Sequence, residues 1–303
     1  MNKRVAWREL SKVKGLKIYR KVCLRHHSTF RIGGVADFFV APKNFNELAD
    51  VLAIAQRKKL KYVIIGNGSN ILFSDKGFRG MVIKLANGLG NVEINGTRVN
   101  VGAGMMLSTL VSKLASGGIA GLEFAYGVPA TVGGAVVMNF GSFGKWIGAL
   151  VRRVKVINND NLTEVELREK DLKFGYRTSN LLQKGFVDTH VEFKLKKKRP
   201  KIIKKNIRAI LEKRRATQPL GIPNAGCIFK NPPGDFAGRL IEEAGLAGKR
   251  IGDAQVSTKH ANFIVNLGNA TASDVIALIR KIQKTVKAKF GIRLVPEIKV
   301  VRP

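Results

Sequence analysis

Apolar and polar positions change period several times along the chain. Between Asn46 and Lys58, Leu48, Leu52 and Ala55 recur at helical spacing and predict a helix with one buried face. Tyr62-Val63-Ile64-Ile65 is a continuous apolar run ending at Gly66, the pattern of a buried strand. Met81 to Leu85 and Val92 to Val101 predict further strands, the second folded back at Asn95-Gly96, and Leu107 to Ala115 predicts a helix stopped by Gly117-Gly118. Val151 to Ile157 and Val187 to Leu195 alternate as strands, with a turn at Asn158-Asn159-Asp160. After a Lys-rich stretch containing Pro200, a helical pattern runs to Arg215. Pro219 to Asn224 then reads as a loop and Cys227-Ile228-Phe229 as a short strand. The last helix is the best marked. Thr271 and Asp274 have capping-box spacing, Val275, Ile279, Ile282, Val286 and Phe290 form one stripe, and Gly291 supplies the stop. Arg293 to Val301 predicts a closing strand. The pattern is α+β, with a larger part, a smaller C-terminal part and a boundary near residue 200.

Glycine adds detail. It supplies 32 of 303 residues, about one in ten against about 7% in ordinary chains, and it clusters at Gly33-Gly34, Gly66 to Gly68, Gly102 to Gly104 and Gly127 to Gly144. Such clusters mark backbone that takes positive φ or approaches something closely. With 45% hydrophobic residues the chain has enough apolar material for a substantial core, which excludes a disordered basic tail. Cys23 and Cys227 are the only cysteines, so neither a disulfide framework nor a paired-cysteine metal site is available, and a reducing compartment is expected.

The formal charge of +33, from 54 basic and 21 acidic residues, is compatible with nucleic acid, an anionic membrane surface or an anionic small substrate. Its densest stretch, Lys194 to Arg215, has few aromatics and no zinc-finger or RNP-like pattern, as in a solvated lysine-rich face. No signal-peptide core occurs in Met1 to Val22, and no apolar run approaches the roughly 20 residues of a membrane span. A soluble, cytoplasmic protein without membrane insertion is expected.

Candidate chemistry starts at the glycine loops. Gly66-Asn67-Gly68-Ser69-Asn70 follows a strand, but Ile71 occupies the sixth position of a dinucleotide fingerprint, and Leu72 and Phe73 continue as extended chain. No Walker motif occurs. Successive backbone N–H groups in such turns can still cradle a pyrophosphate, and Thr131-Val132-Gly133-Gly134 offers another such turn. His26, His27, His190 and His260 lack zinc-site spacing, and no nucleophile elbow is present. Cys227, in a small-residue turn hemmed by prolines, reads either as a buried small side chain or as a proton donor tuned by nearby cations. Glu297 after Pro296 reads as an ion-pair partner, and Arg177 as a surface arginine.

Several stretches together resemble the UDP-N-acetylenolpyruvoylglucosamine reductase (UDP-N-acetylmuramate dehydrogenase) family, in family order along nearly the whole chain. They are Thr29 to Gly34, Ile65 to Asn70, Gly127 to Asn139, Tyr176 to Ser179, Asn224 to Pro232, Val256 to Phe263 and Pro296-Glu297. The length resembles the shorter of the family's subtypes. The resemblance implies a two-part FAD-binding domain of the vanillyl-alcohol-oxidase (PCMH) type followed by a smaller α+β substrate-binding domain. Residues 1–22 would form an extension, 23–200 the FAD-binding domain split near residue 80, and 201–303 the substrate domain.

The implied reaction is reduction of the enolpyruvyl ether of UDP-N-acetylglucosamine by NADPH through FAD, in peptidoglycan precursor synthesis, by a monomer with no specific nucleic-acid partner. By motif match, Arg177 holds the substrate carboxylate and the enolate-like charge, Cys227 delivers the proton and Glu297 polarises the intermediate. Arg31, Gly66, Asn67, Gly68, Ser69, Asn70, Thr131, Gly133 and Gly134 would line FAD. Tyr176, Arg214, Asn231, Lys259 and His260 would contact substrate, Asn231 at the diphosphate.

The chain departs from the family pattern at Cys227, where many members carry Ser, and at Thr217, where Lys is common. Ala130 and Phe140 also replace smaller residues beside the cofactor motif, which bears on packing. Another PCMH-type flavin oxidoreductase and a basic nucleic-acid-binding protein are the alternative readings.

Overall fold

The computed structural model describes residues 3–86, 89–183 and 186–303. Residues 1 and 2 of the expected extension lie outside these. The chain divides into two compact units, neither of them continuous in sequence. One comprises residues 1–20, 38–67 and 80–212, the other residues 21–37, 68–79 and 213–303.

The first unit has two apolar cores. In one, the helix Phe45–Arg57 packs Leu48, Val51 and Leu52 against Met81 and Ile83 of the strand Phe78–Lys84, which pairs in parallel with Tyr62–Ile65. Asn44 begins this helix by accepting from the Glu47 N–H, as an N-cap should. The extension contributes to the same core. Its helix Lys3–Leu10 buries Ala6 and Leu10, and Trp7 stacks on Phe38.

The second core lies on a five-stranded antiparallel sheet ordered Glu164–Arg168, Val151–Ile157, Val187–Lys194, Arg98–Gly102, Val92–Asn95. The helices Leu107–Ser116 and Val132–Val137 contribute to it. The turn at Asn158 to Asp160 leads into Glu164–Arg168, a short strand not anticipated from the sequence, in which Val165 and Leu167 pack on the core between the charges of Glu164, Glu166 and Arg168. Pro200 opens the helix Pro200–Thr217 and suits a first turn, where its missing N–H costs nothing. Ile203 and Ile207 from this helix enter the same core, so the basic stretch is an amphipathic helix of the first unit as far as Glu212.

In the second unit a four-stranded antiparallel sheet is ordered Asn224–Cys227, Phe263–Asn266, Ala254–Val256, Arg250–Ile251. The helices Ala237–Glu243 and Ala272–Phe290 share its apolar core. Thr271 and Asp274 form the expected capping box, and Gly291 ends the long helix at φ 72°.

Two sequence expectations are corrected. The strand expected at Cys227 to Phe229 lies instead at Asn224–Cys227, with a register shift against Phe263–Asn266. The closing strand is confined to Lys299–Val301, which pairs in parallel with Ile71–Phe73. Pro296 lacks an N–H for a continuous ladder, so the chain before it contributes only an isolated bridge from Pro296 to Phe229.

Candidate active site

In the first unit the glycine loops meet. Gly66 lies so close to Thr131 that a Cβ there would fall 2.2 Å from the threonine hydroxyl, and Asn67 donates its side-chain N–H to the Pro129 carbonyl at 2.9 Å. Thr131 caps the helix Val132–Val137 by accepting from Gly134 N–H, so this turn opens a short helix. Gly133 touches Ala103 and the carboxylate of Asp188, where an added Cβ would sit 2.8 Å and 2.1 Å away. Only glycine permits these approaches, so the loops pack directly on one another, with the Thr131 hydroxyl and the Asp188 carboxylate in the space a side chain would fill.

Asp188 was not expected at this place. Its Oδ2 is buried without a hydrogen-bond partner, and burial pushes its carboxyl up to about 6. No local signal marks it, because Val187–Lys194 alternates and Asp188 stands beside Thr189, His190 and Glu192.

Tyr176 and Arg177 are the two-residue tip of a hairpin between Phe174–Gly175 and Thr178–Ser179. Arg177 takes φ 55°, a costly conformation for a side-chain-bearing residue and one often retained at functional sites. Asn139 holds the hairpin from beneath, donating to Gly175 C=O at 2.8 Å and accepting from Gly148 N–H at 3.0 Å. The Arg177 guanidinium lies 5.6 Å above the Phe140 ring and 5.9 Å from the centre of Tyr176. The larger side chain at Phe140 therefore touches a candidate catalytic group, and its effect is not confined to packing.

The second unit carries Cys227 and Glu297. Ile228, between Cys227 and Phe229, accepts from Glu297 N–H at 2.7 Å, and Lys230 N–H reaches Val295 C=O at 2.9 Å. On the other side Ile228 N–H donates to Asn262 C=O at 2.8 Å, so the Cys227 segment is held along both edges. Asn70 joins this assembly. Its side chain donates to Glu297 C=O at 3.3 Å and its own carbonyl accepts from Lys299.

Arg214 is buried close to Cys227. Desolvation lowers the guanidinium pKa and the neighbouring cysteine sulfur raises it again. A fixed cation beside a thiol favours the thiolate left after proton donation.

The remaining candidates are spread over the second unit. Gly68 packs on the His27 carbonyl, and its own carbonyl accepts from Thr29 N–H. Ser69 follows Gly68 in the same loop. Arg31, at φ 54°, lines a cavity of about 770 Å³ with Arg25, His26 and Asn266. Asn231 accepts from Ala237 N–H at the start of the helix Ala237–Glu243. Ser257 binds the backbone N–H groups of Lys259 and His260, leaving the Lys259 side chain exposed. His260 sits edge-on to Phe263, and burial lowers its pKa. Thr217 is exposed, with its hydroxyl on Lys213 C=O. Among the described residues no cluster has the makings of a metal site.

Residues 36–164 match a profile described as FAD binding domain, and residues 218–301 match the C-terminal domain profile of UDP-N-acetylenolpyruvoylglucosamine reductase. The UDP-N-acetylenolpyruvoylglucosamine reductase of Caldanaerobacter subterraneus subsp. tengcongensis is 42% identical over 285 residues, covering 94% of each chain. That of Symbiobacterium thermophilum, designated 2, is 43% identical over 94% of this chain and 92% of its own. The chain belongs to the UDP-N-acetylenolpyruvoylglucosamine reductase family. The crystal structure of the family's enzyme from Thermus caldophilus superposes with a TM-score of 0.81 at 37% identity, covering 94% of this chain and 99% of that one. The expected fold class is borne out, an FAD-binding domain of the PCMH type with the reductase C-terminal domain. The reductase family uses FAD and NADPH, and the FAD-binding profile spans the loops around Gly66 and Gly133.

Proposed function

We propose that this chain reduces the enolpyruvyl ether of UDP-N-acetylglucosamine to UDP-N-acetylmuramate with NADPH, in peptidoglycan precursor synthesis. The observation that carries the reading is the hydrogen bond from Glu297 N–H to the carbonyl of Ile228, which ties the segment after Cys227 to the strand-like segment bearing Glu297. Bound FAD would supply the hydride-transfer chemistry between NADPH and the methylene carbon of the enolpyruvyl group.

The chain's own residues manage the charge and the proton. Arg177 binds the substrate carboxylate through its guanidinium fork and neutralises the enolate-like charge that builds beside it. Cys227 Sγ–H gives its proton to the carbon bearing that carboxylate, with Arg214 favouring the resulting thiolate. Glu297 polarises the intermediate. Arg31, Gly66 to Asn70, Thr131, Gly133 and Gly134 hold FAD, while Tyr176, Arg214, Asn231, Lys259 and His260 contact the UDP-sugar. The first unit, with the N-terminal extension and the helix after Pro200 as far as Glu212, serves as the FAD-binding part, and the second unit as the substrate part. The protein works as a cytoplasmic monomer. Among the described residues no helix is long and apolar enough to cross a membrane.

The test follows flavin absorbance without oxygen. NADPH should bleach the bound flavin, and enolpyruvyl-UDP-N-acetylglucosamine should restore the colour. Bleaching without recovery discards this substrate, and a protein that takes up no FAD discards the reading.

A further inference from the structure

The proposed reaction leaves one cavity of the first unit unused. It has a volume of about 390 Å³ and lies where the hairpin Gly141–Ser142/Lys145–Trp146 and the segment Gly121–Phe124 meet the basic chain after Val187–Lys194. Its size suits a nucleoside with room for phosphates at the rim.

Three features define its chemistry. Trp146 forms a wall and is 54% exposed. The hairpin that presents it turns through Phe143 and Gly144, both at positive φ, the tight two-residue geometry that gives a stiff support. Exposed indole on such a support is a stacking surface for a flat ring.

Glu123 is the second feature. Its residue is only 7% exposed, its Oε2 accepts from Gly121 N–H at 2.7 Å, and no donor among the described residues reaches Oε1. Oε1 is open and Oε2 keeps a second lone pair beside the Gly121 N–H, so this buried carboxylate can accept two N–H donors from a ligand.

Lysines are the third. Lys194, Lys196 and Lys198 alternate along extended chain, and Lys196 pairs with Ala120 beside Glu123. With Lys145 they line the cavity, and among the described residues none of the four forms an ion pair. Four uncompensated cations around one opening repel one another until an anion arrives.

We infer that this cavity binds a guanine nucleotide with two or three phosphates, its base stacked on Trp146 and read by Glu123, its phosphates on the lysine rim. Guanine alone among the common bases presents two adjacent N–H donors, N1–H and N2–H, to a carboxylate. Adenine would turn its N1 lone pair on the carboxylate, and uracil would flank a single N–H with carbonyl oxygens. A site built to accept two hydrogen bonds rejects ligands that leave it unpaired. The inference stands apart from the reductase reading and uses none of its residues.

The test is calorimetric binding of GDP, GTP, ATP and UTP to the full-length, flavin-loaded protein, with NADP+ in excess to occupy the nicotinamide nucleotide site. GTP is expected to bind at least about tenfold more tightly than ATP or UTP. Trp146→Ala should weaken GTP about tenfold by removing the stacking face. Glu123→Gln keeps an acceptor for Gly121 N–H and should erase the preference for guanine. Flavin content and bleaching by NADPH should stay at wild-type values in both variants. Equal affinity for GTP and ATP, or unchanged GTP affinity in Trp146→Ala, overturns the site. A guanine-containing RNA oligomer binding far more tightly than GTP overturns the free nucleotide as occupant. If Glu123→Gln fails to fold, the nucleotide panel and Trp146→Ala decide between the same outcomes.

Discussion

The side chain of Asn262 hydrogen-bonds both polar groups of the Phe229 backbone. Phe229 N–H donates to Oδ1 at 2.9 Å, and Nδ2 donates to the Phe229 carbonyl at 2.9 Å. Asn262 takes the place of a missing strand partner just beyond the register slip between Asn224 and Cys227. Replacing it with Leu strands two buried backbone groups, each worth about 1–3 kcal/mol. Asn262→Leu should therefore lose about 2–5 kcal/mol in urea unfolding. Asn262→Asp, which keeps the acceptor, should lose less.

Cys227→Ala should leave FAD binding and NADPH-driven bleaching intact, while recovery of flavin colour on adding the enolpyruvyl sugar slows about 100-fold or more. Cys227→Ser should keep substantial turnover, because a hydroxyl at that position also donates a proton. Stopped-flow absorbance separates the two half-reactions. Recovery in the Ala variant as fast as in wild type would remove Cys227 from the mechanism.

Asp188 gives the fold a pH dependence of unusual sign. Burial raises its carboxyl from 3.8 to about 6, so between these values the folded chain holds a proton that the unfolded chain has lost. Its contribution to stability is thus complete below about 3.8 and lost as pH rises through about 6. Above pH 7 the ionised group costs on the order of 2–3 kcal/mol. Asp188→Asn should raise the melting temperature at pH 7.5 and flatten its change between pH 5 and 7. Differential scanning calorimetry at several pH values measures both.

Gly66→Ala would push a methyl to 2.2 Å from the Thr131 hydroxyl that caps the following helix through Gly134. The Gly66 loop must move off Thr131, so the variant should purify with less than about a tenth of wild-type flavin while keeping its far-ultraviolet circular dichroism. Full flavin occupancy would mean that the cofactor does not depend on this approach.

Much of this was legible because short-range physics set it. Capping at Thr271, the stop at Gly291 and the hairpin at Asn95-Gly96 need only neighbours in sequence, and all three form as the pattern predicts. Cys227 and Glu297 were found through motif resemblance, since a lone thiol and a lone carboxylate carry no local signal. Asn139 and Asn262 stood only as members of resembling stretches, and Asp188 not at all, because their roles arise from partners such as Gly175, Phe229 and Gly133, separated by tens of residues in the chain. A polar residue in an apolar run, as in Ala261-Asn262-Phe263, was the only available trace. The strand Glu164–Arg168 was missed because its apolar face is only two residues, Val165 and Leu167, set between three charges.

The pairing of Lys299–Val301 with Ile71–Phe73 sets a timetable for synthesis. Ile71, Leu72 and Phe73 emerge from the ribosome early, yet their partner strand is made more than two hundred residues later. Throughout that interval a short apolar strand with an open edge is exposed to other nascent chains and to chaperones. Completion of the second unit therefore waits until Lys299–Val301 has left the ribosome, and a chain stalled with that segment still enclosed keeps this edge unsealed.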